Sequence, residues 1–129
     1  MYYTGYIRSS EVSYIQVDQG SAFSIMPRRL IKHLEIPTYR LSATQTTIYG
    51  FNANGICPMS KIKLKCQIEG LKSEVTCYVI DADTSYGLLL ERLWIHRNSI
   101  IPSILYQVMK YADEGEVRIA IAEKHPFKG

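Results

Sequence analysis

The strongest constraint on the fold is a long segment, residues 44–82, in which apolar and polar side chains alternate. Turn signals interrupt this alternation at Gly50, at Asn54-Gly55 and at Glu69-Gly70, and an Asn-Gly pair between β-prone runs is a strong hairpin signal. Strands of this kind bury one face and leave the other in water. In the central strand the apolar face comprises Ile62, Leu64, Cys66 and Ile68, and the polar face comprises Lys61, Lys63, Lys65 and Gln67.

Two further hairpins are indicated at the ends of the chain. Residues 2–18 read as two strand-like runs that break near Ser9 and Ser10. Residues 101–111 and 116–122 read as two more runs, which flank the turn-like residues ADEG. The chain therefore consists mainly of short strands joined by tight turns.

Helical signals are few. Residues 87–90, GLLL, predict a buried strand that is followed by one helical turn from Arg92. The clearest helix is residues 27–36, about two turns long, with a proline at its first position. Its shared apolar face comprises Leu30, Ile31 and Leu34. At 129 residues the chain is one all-β domain, a small barrel or sandwich with one or two short helices.

Composition and charge argue against several function classes. No apolar run approaches the ~18 residues of a membrane-spanning helix, and the N-terminus lacks the layout of a signal peptide. The formal net charge is +3 with Lys and Arg scattered along the sequence, so we interpret them as a solvated surface and do not expect a nucleic-acid partner. The spacing of Cys57, Cys66 and Cys77 fits neither a redox motif nor a zinc site, which predicts free thiols.

Most of the remaining chemistry-bearing side chains have structural interpretations. His33, His96 and His125 lie far apart, whereas a metal site needs three or four convergent ligands, so no metal or other cofactor is expected. Asp81 and Asp83 fit an acidic turn whose side chains hydrogen-bond their own backbone.

Asp18 is the exception, because it ends a core-like strand and is followed by Gln19, Gly20 and Ser21. We expect Gly20 to let the backbone turn back sharply behind the carboxylate, with backbone N–H groups and the Ser21 hydroxyl holding the acid. A carboxylate that is oriented at the end of a rigid strand is a candidate catalytic group.

The stretch VDQGSAFSIMP, residues 17–27, resembles the Asp-Ser/Thr-Gly loop of aspartic proteases, and most closely the retropepsin-type protease domain of plant gypsy-type retrotransposons. The resemblance continues through RRLIKHLEIP, IYGFNANG and VIDADTSYGLLLERLWIH to PSILYQVMKYADEGEVR. It implies a small closed barrel in residues 1–122, followed by a C-terminal tail or linker in residues 123–129. It also implies a domain of a retrotransposon polyprotein.

The resemblance further implies a homodimer in which each subunit contributes one Asp18 to a shared catalytic pair. Like charges at close range resist simultaneous ionisation, so one acid keeps a proton while the other activates a water for peptide hydrolysis. A flap hairpin with Gly50, Phe51 and Asn52 would close over an extended peptide or polyprotein segment. Neither a metal nor a membrane takes part.

The sequence departs from the family at four positions near this loop. Gln19 stands where Ser or Thr is usual, Gly87 where Asn is usual, and Leu93 where Pro is usual. Glu91 replaces the glycine of the family's LLLGRPW block, which lies in a tight packing layer. We expect Glu91 to be a buried carboxylate that pairs with Arg92 or disturbs the loop, so that Glu91→Gly would raise stability.

These departures leave two functions open. One is an aspartic endopeptidase of a retrotransposon polyprotein. The other is a catalytically inactive retropepsin-fold homodimer that serves as a peptide-binding or interaction module. In either case we expect the protein to be located in the cytoplasm. If it is an active protease, we expect it inside a retroelement particle.

Overall fold

The protein is described by a computed structural model that covers residues 1–48 and 58–124. The predicted flap residues Gly50, Phe51 and Asn52 lie outside the described residues, as do Cys57 and the end of the predicted tail. The described part comprises β1 Tyr2–Ile7, β2 Ser10–Val17, β3 Ser24–Pro27, α1 Arg28–His33, a 3₁₀ turn Thr38–Arg40, β4 Ser60–Ile68, β5 Leu71–Ile80, β6 Leu88–Leu90, α2 Arg92–Arg97, β7 Ile101–Ser103, β8 Val108–Asp113 and β9 Glu116–Ile121.

Six of these strands form a closed barrel in the order β1-β2-β6-β3-β5-β4, in which β4 pairs back on β1. Strands β1 and β2 form the predicted first hairpin, and its turn residues Arg8 and Ser9 have φ angles of 53° and 70°. Such left-handed angles at both turn positions match the twist of the flanking strands. The prediction of an all-β closed barrel with one or two short helices is confirmed.

The core follows the predicted alternation of β4. Its apolar face is buried inside the barrel and its lysines are exposed, and β5 pairs with it from Ser60↔Val79 to Ile68↔Leu71. Helix α2 adds Trp94, which is 2% exposed and donates its indole N–H to the Ser73 hydroxyl over 2.8 Å. Each helix has six residues, and no helix within the described ranges is long and apolar enough to cross a membrane.

Strand β6 determines where the loop after β2 lies. It pairs in parallel with β2, from Ile15↔Leu88 to Val17↔Leu90, and antiparallel with β3 through Leu89. All three of its residues are buried, as expected for a strand with a covered face on both sides. Because β2 and β6 are parallel, their C-terminal ends lie side by side. The predicted buried strand and the helix that starts at Arg92 are both confirmed.

Gly87 precedes β6 at a close backbone contact. Its N–H donates to the carbonyl of Tyr14 over 2.9 Å, and a Cβ on this residue would lie only 2.5 Å from the carbonyl oxygen of Ser13. Tyr14 has a φ of 57° inside β2, where the register against β1 shifts, so β2 carries a bulge at this point. The glycine at this position therefore fits the local backbone, and a larger residue would displace it.

Strands β7, β8 and β9 form a second sheet, with β8 in the centre. The buried face of this sheet packs on the barrel core through Met109, Tyr111 and Ala120. The predicted hairpin between β8 and β9 is confirmed. The prediction of one continuous run over residues 101–111 is wrong, because the chain turns after Ser103 and the N–H of Gln107 donates to the carbonyl of Ile104 over 3.3 Å.

The opposite face of this second sheet is apolar and exposed. We call it the outer apolar face, and it comprises Ile101 (67% exposed), Val117 (74%), Ile119 (53%) and Ile121 (69%). Ile101 and Ile119 flank Lys110 of the central strand, so they share one side of the sheet. Four exposed apolar side chains grouped around this one lysine on a small domain favour an interaction surface.

Tyr3 connects β1 to β9 and makes the stability of the protein vary with pH in the alkaline range. Its phenol is buried and donates to the carbonyl of Ala120 over 3.0 Å. Burial, with a smaller contribution from Glu69, raises the pKa of Tyr3 to about 12 from its ordinary value of 10.0. The unfolded chain therefore releases this proton at lower pH than the folded protein does, and the free energy of unfolding should fall as the pH rises from about 10 to 12.

Urea titrations at a series of alkaline pH values measure this effect. Tyr3→Phe should lose part of the pH dependence, because phenylalanine keeps the ring and has no proton to release. An identical slope in the wild type and the variant would contradict this role of Tyr3.

Candidate active site

Asp18 lies at the junction of β2 and β6. Its backbone N–H donates to the carbonyl of Leu90 over 3.0 Å, which extends the pairing of the two strands by one residue. The N–H of Ser21 donates back to the carbonyl of Asp18 over 3.3 Å and closes a turn over residues 18–21. The half-buried Asp18 is therefore held from both sides at the surface of the barrel.

The Asp18 carboxylate is oriented by the backbone of its own turn. The N–H of Gly20 donates to Oδ1 over 2.9 Å. The chain turns back at Gly20 as predicted, although the φ of Gly20 is not in the left-handed region, so the turn itself does not require a glycine. A Cβ at this residue would lie 3.3 Å from Oδ1, and the glycine therefore gives the carboxylate room beside the N–H that binds it.

Ser21 does not hold the acid as predicted. Its hydroxyl donates to the carbonyl of Phe23 over 2.8 Å and accepts from the N–H of the same residue over 3.4 Å. The carbonyl of Ser21 accepts the backbone N–H of Arg92 over 3.1 Å, which joins the loop to the start of α2. Ser21 therefore shapes the loop, while the side chain of Gln19 is exposed to solvent.

Glu91 is buried, and its role differs from the prediction. Its two carboxylate oxygens accept the backbone N–H groups of Leu93 over 2.8 Å and of Trp94 over 2.7 Å, so that it caps the N-terminus of α2. Its own N–H donates to the Ser24 hydroxyl over 3.2 Å. The expectation of pairing with Arg92 or a disturbed loop is wrong, because backbone donors satisfy the carboxylate and the Arg92 side chain is exposed.

This cap reverses the predicted effect of replacing Glu91. Removing the carboxylate leaves two helix N–H groups without their partner, and loss of a capping side chain costs about 0.5–2 kcal/mol. We therefore expect both Glu91→Ala and Glu91→Gly to lower the free energy of unfolding. The loss should be larger for the alanine variant than for the glycine variant. Glu91→Gln keeps one acceptor oxygen and should fall between them and the wild type. Urea melts of the three variants test this, and a gain in stability for Glu91→Gly would contradict the capping role.

A cavity of about 310 Å³ opens beside Asp18. Its walls are mainly apolar. They come from the end of β2, the loop after it, β3, β6, and from Ile48 and Tyr86 outside the strands. The residues that line it with Asp18 include Phe23, Ile25, Ile48, Tyr86 and Leu89. A carboxylate at the edge of an apolar cavity suits a reaction on a bound chain whose side chains enter that cavity.

The sequence did not identify Ile48, Tyr86 and Leu89 as site residues. Leu89 belongs to a buried apolar run, and such a run predicts a core strand without indicating that a cavity lies beside it. Tyr86 follows the acidic turn, and its phenol oxygen is buried without a hydrogen-bond partner among the described residues. No local signal in the sequence separates these three from ordinary core residues.

The other candidate side chains lie away from this cavity. Asp81 pairs with Arg28 over 3.5 Å on the surface, and Asp83 is exposed. His33 and His96 are exposed on α1 and α2. Within residues 1–48 and 58–124, no group of three His, Cys, Asp or Glu side chains could hold a metal ion.

The two described cysteines are free and buried. Burial raises the pKa of the Cys66 thiol to about 12 and that of Cys77 further. Because the thiolate is the reactive form, neither residue is a nucleophile at ordinary pH. The structure brings two groups of predicted site residues together. The loop of Asp18 contacts the start of α2, where the N–H of Arg92 donates to the carbonyl of Ser21.

Comparison with known proteins supports the fold. No protein-family model and no curated protein matches the chain. Among solved structures, the chain is similar to the retroviral protease-like domain of Ddi1 from Leishmania major, with 17% identity and a TM-score of 0.67, over 93% of this chain and 92% of that one. It is also similar to a retropepsin-like aspartic protease from Rickettsia conorii, with 17% identity and a TM-score of 0.57, over 79% and 75% of the two chains. The chain therefore has the closed-barrel fold of retropepsin-like aspartic proteases.

Proposed function

We propose that this chain is an aspartic endopeptidase domain whose active site forms between two copies, each of which contributes Asp18. The observation that carries the proposal is the Asp18 carboxylate, which is held by the Gly20 N–H at the edge of an apolar cavity. The likeness in fold to retropepsin-like aspartic proteases supports the same conclusion.

A second copy is needed because Asp18 is the one carboxylate among the described residues that line this cavity. General acid–base hydrolysis of a peptide bond requires one group to accept a proton and another to donate one. Two Asp18 residues that face each other across a twofold axis supply both, since their mutual repulsion keeps one of them protonated.

The reaction then follows from the two protonation states. The ionised Asp18 removes a proton from a water whose oxygen attacks the carbonyl carbon of the peptide, and the protonated Asp18 gives its proton to the carbonyl oxygen. The tetrahedral intermediate collapses when the C–N bond breaks, the amine takes a proton from one Asp18 and a hydroxyl of the intermediate returns a proton to the other, so that the pair again holds one proton. Water attacks directly, so no bond forms between the protein and the substrate.

We propose that the second copy binds at the outer apolar face. The end of β9 reaches the Asp18 end of the barrel, because the N–H of Glu123 donates to the carbonyl of Tyr2 over 2.9 Å and Tyr2 pairs with Gln16. Strand β9 is an edge of its sheet in the described structure, and an unpaired edge beside exposed isoleucines favours association with another copy.

The substrate in this proposal is an extended peptide from a polyprotein, bound through main-chain hydrogen bonds with side chains in the cavity. A plant gypsy-type retrotransposon is the origin that we propose for the chain, on the motif resemblance alone.

The proposal is tested by incubating the purified chain with a mixed peptide library at mildly acid pH, and by identifying new termini by mass spectrometry. Sedimentation of the same samples reports the oligomeric state. We expect cleavage, with a specific activity that falls on dilution in parallel with the dimer fraction. If a folded dimer cleaves no peptide at any concentration, the result would instead favour the inactive interaction module.

A further inference from the structure

Six basic side chains that are scattered in the sequence lie together on one side of the barrel. We call this surface the basic face, and it comprises Arg8, Arg40, Lys61, Lys63, Lys65 and Lys72. The acids on it or at its edges are Glu11, Glu69 and Glu74. This excess of three positive charges equals the formal net charge of the whole chain, +3, so the charged residues outside the basic face sum to zero.

Sheet pairing explains how the basic face forms. The three lysines of β4 alternate along the outer side of the strand and are therefore about 6.5–7 Å apart. Arg40 lies beside them, because its guanidinium donates to the carbonyl of Lys63 over 3.1 Å. Lys63 also contacts Glu74 at 3.8 Å, but both side chains are more than half exposed, so this pair neutralises little.

A groove runs along one end of the basic face. It has a volume of about 600 Å³, and its charged lining consists of Arg8, Lys65, Lys72 and one acid, Glu74. Tyr6 lies on the same side, since it pairs with Gln67 of β4, which in turn pairs with Lys72. The Tyr6 ring is 48% exposed and lines the groove. The surface thus combines a row of cations with an accessible aromatic ring.

In contrast to the interpretation of these Lys and Arg residues from the sequence, we propose that the basic face binds single-stranded nucleic acid, an interaction that is independent of the proposed protease function. The regular spacing of the β4 lysines suits successive phosphates along an extended strand, and Tyr6 offers a ring on which a base can stack. Each nucleotide carries a flat ring beside its phosphate, whereas the acidic side chains of a peptide carry none, which is why the observations favour a nucleic acid. The active-site cavity is on another part of the barrel and shares no lining residue with this groove.

The test is the binding of a fluorescein-labelled 20-nucleotide oligo-dU or oligo-dT strand, followed by anisotropy at several salt concentrations. Each phosphate contact contributes about −0.7 to the slope of log K against log salt for single strands. We expect the triple variant K61Q, K63Q and K65Q to bind at least tenfold more weakly near 50 mM salt and to lose about two units of slope. Tyr6→Ser should weaken binding about fivefold to 100-fold with little change in slope.

A matched control distinguishes the loss of the basic face from a general loss of positive charge. The triple variant K32Q, R97Q and K124Q removes the same three charges from exposed positions elsewhere and should bind within about twofold of the wild type. The triple variant K61R, K63R and K65R should restore binding, and circular dichroism should show that all variants are folded. Equal losses in both glutamine triples, or tighter binding of a poly-glutamate peptide or of duplex DNA than of the single strand, would overturn the proposal.

Discussion

Replacing Asp18 with asparagine is expected to lower kcat/KM for peptide cleavage by on the order of 10³–10⁴-fold, because the amide can neither accept nor donate the proton that the reaction moves. Asparagine keeps an oxygen for the Gly20 N–H, so the loop and the fold should persist. The matched control is Asp81→Asn, which removes an exposed carboxylate that pairs with Arg28 and should leave activity within about twofold.

Mixing the Asp18→Asn variant with the wild type tests the shared site directly. If the subunits exchange freely, dimers with a single Asp18 are inactive, and activity falls with the square of the wild-type fraction. A linear fall would mean that each chain acts alone, and it would contradict the proposed two-chain site even if the variant itself were inactive.

Placing a charge on the outer apolar face should have the second large effect. Ile119 is 53% exposed in the single chain, and in a twofold dimer each substitution is present twice. Losing the burial of the exposed half of two isoleucines costs about 1.5–3 kcal/mol, and two unpaired carboxylates in the interface add to this cost, so Ile119→Asp should raise the dimer Kd by at least about 10–10²-fold and strongly reduce cleavage at low micromolar concentration.

The fold of the single chain should survive this change, since Ile119 already contacts solvent. Tyr39→Asp serves as the control, because Tyr39 is 83% exposed on the 3₁₀ turn and lies outside the outer apolar face. Sedimentation and cleavage are measured on the same samples. A variant that still dimerises and cleaves like the wild type would show that the second copy binds elsewhere.

The sequence predicted the parts of this structure that depend on local alternation. Lys61, Lys63 and Lys65 alternate with apolar residues, and that pattern determines which side of β4 faces the core. The place of Asp18 at a strand end was also predictable, because the strand before it is marked by its buried residues and the turn after it by a glycine. Such signals lie within a few residues of the feature that they predict.

Features that depend on three-dimensional neighbours were not predictable. A buried glutamate destabilises or stabilises according to the donors around it, and the N–H groups that satisfy Glu91 become available only once α2 has formed. Likewise, Ser21 is close enough in sequence to bond Asp18, yet its hydroxyl bonds Phe23. The basic face was also missed, because Arg8, Arg40 and Lys72 join the β4 lysines only through the pairing of distant strands.

The loop that carries Asp18 is fastened by backbone bonds to Leu90 and Arg92, which are more than 70 positions later in the chain. Contacts between such distant segments form late, since the intervening chain must first be ordered. A polypeptide that is still being synthesised, and that has not yet released this later part from the ribosome, cannot hold the acid in place. Any cutting activity would therefore be withheld from the nascent chain, which protects it from premature self-digestion.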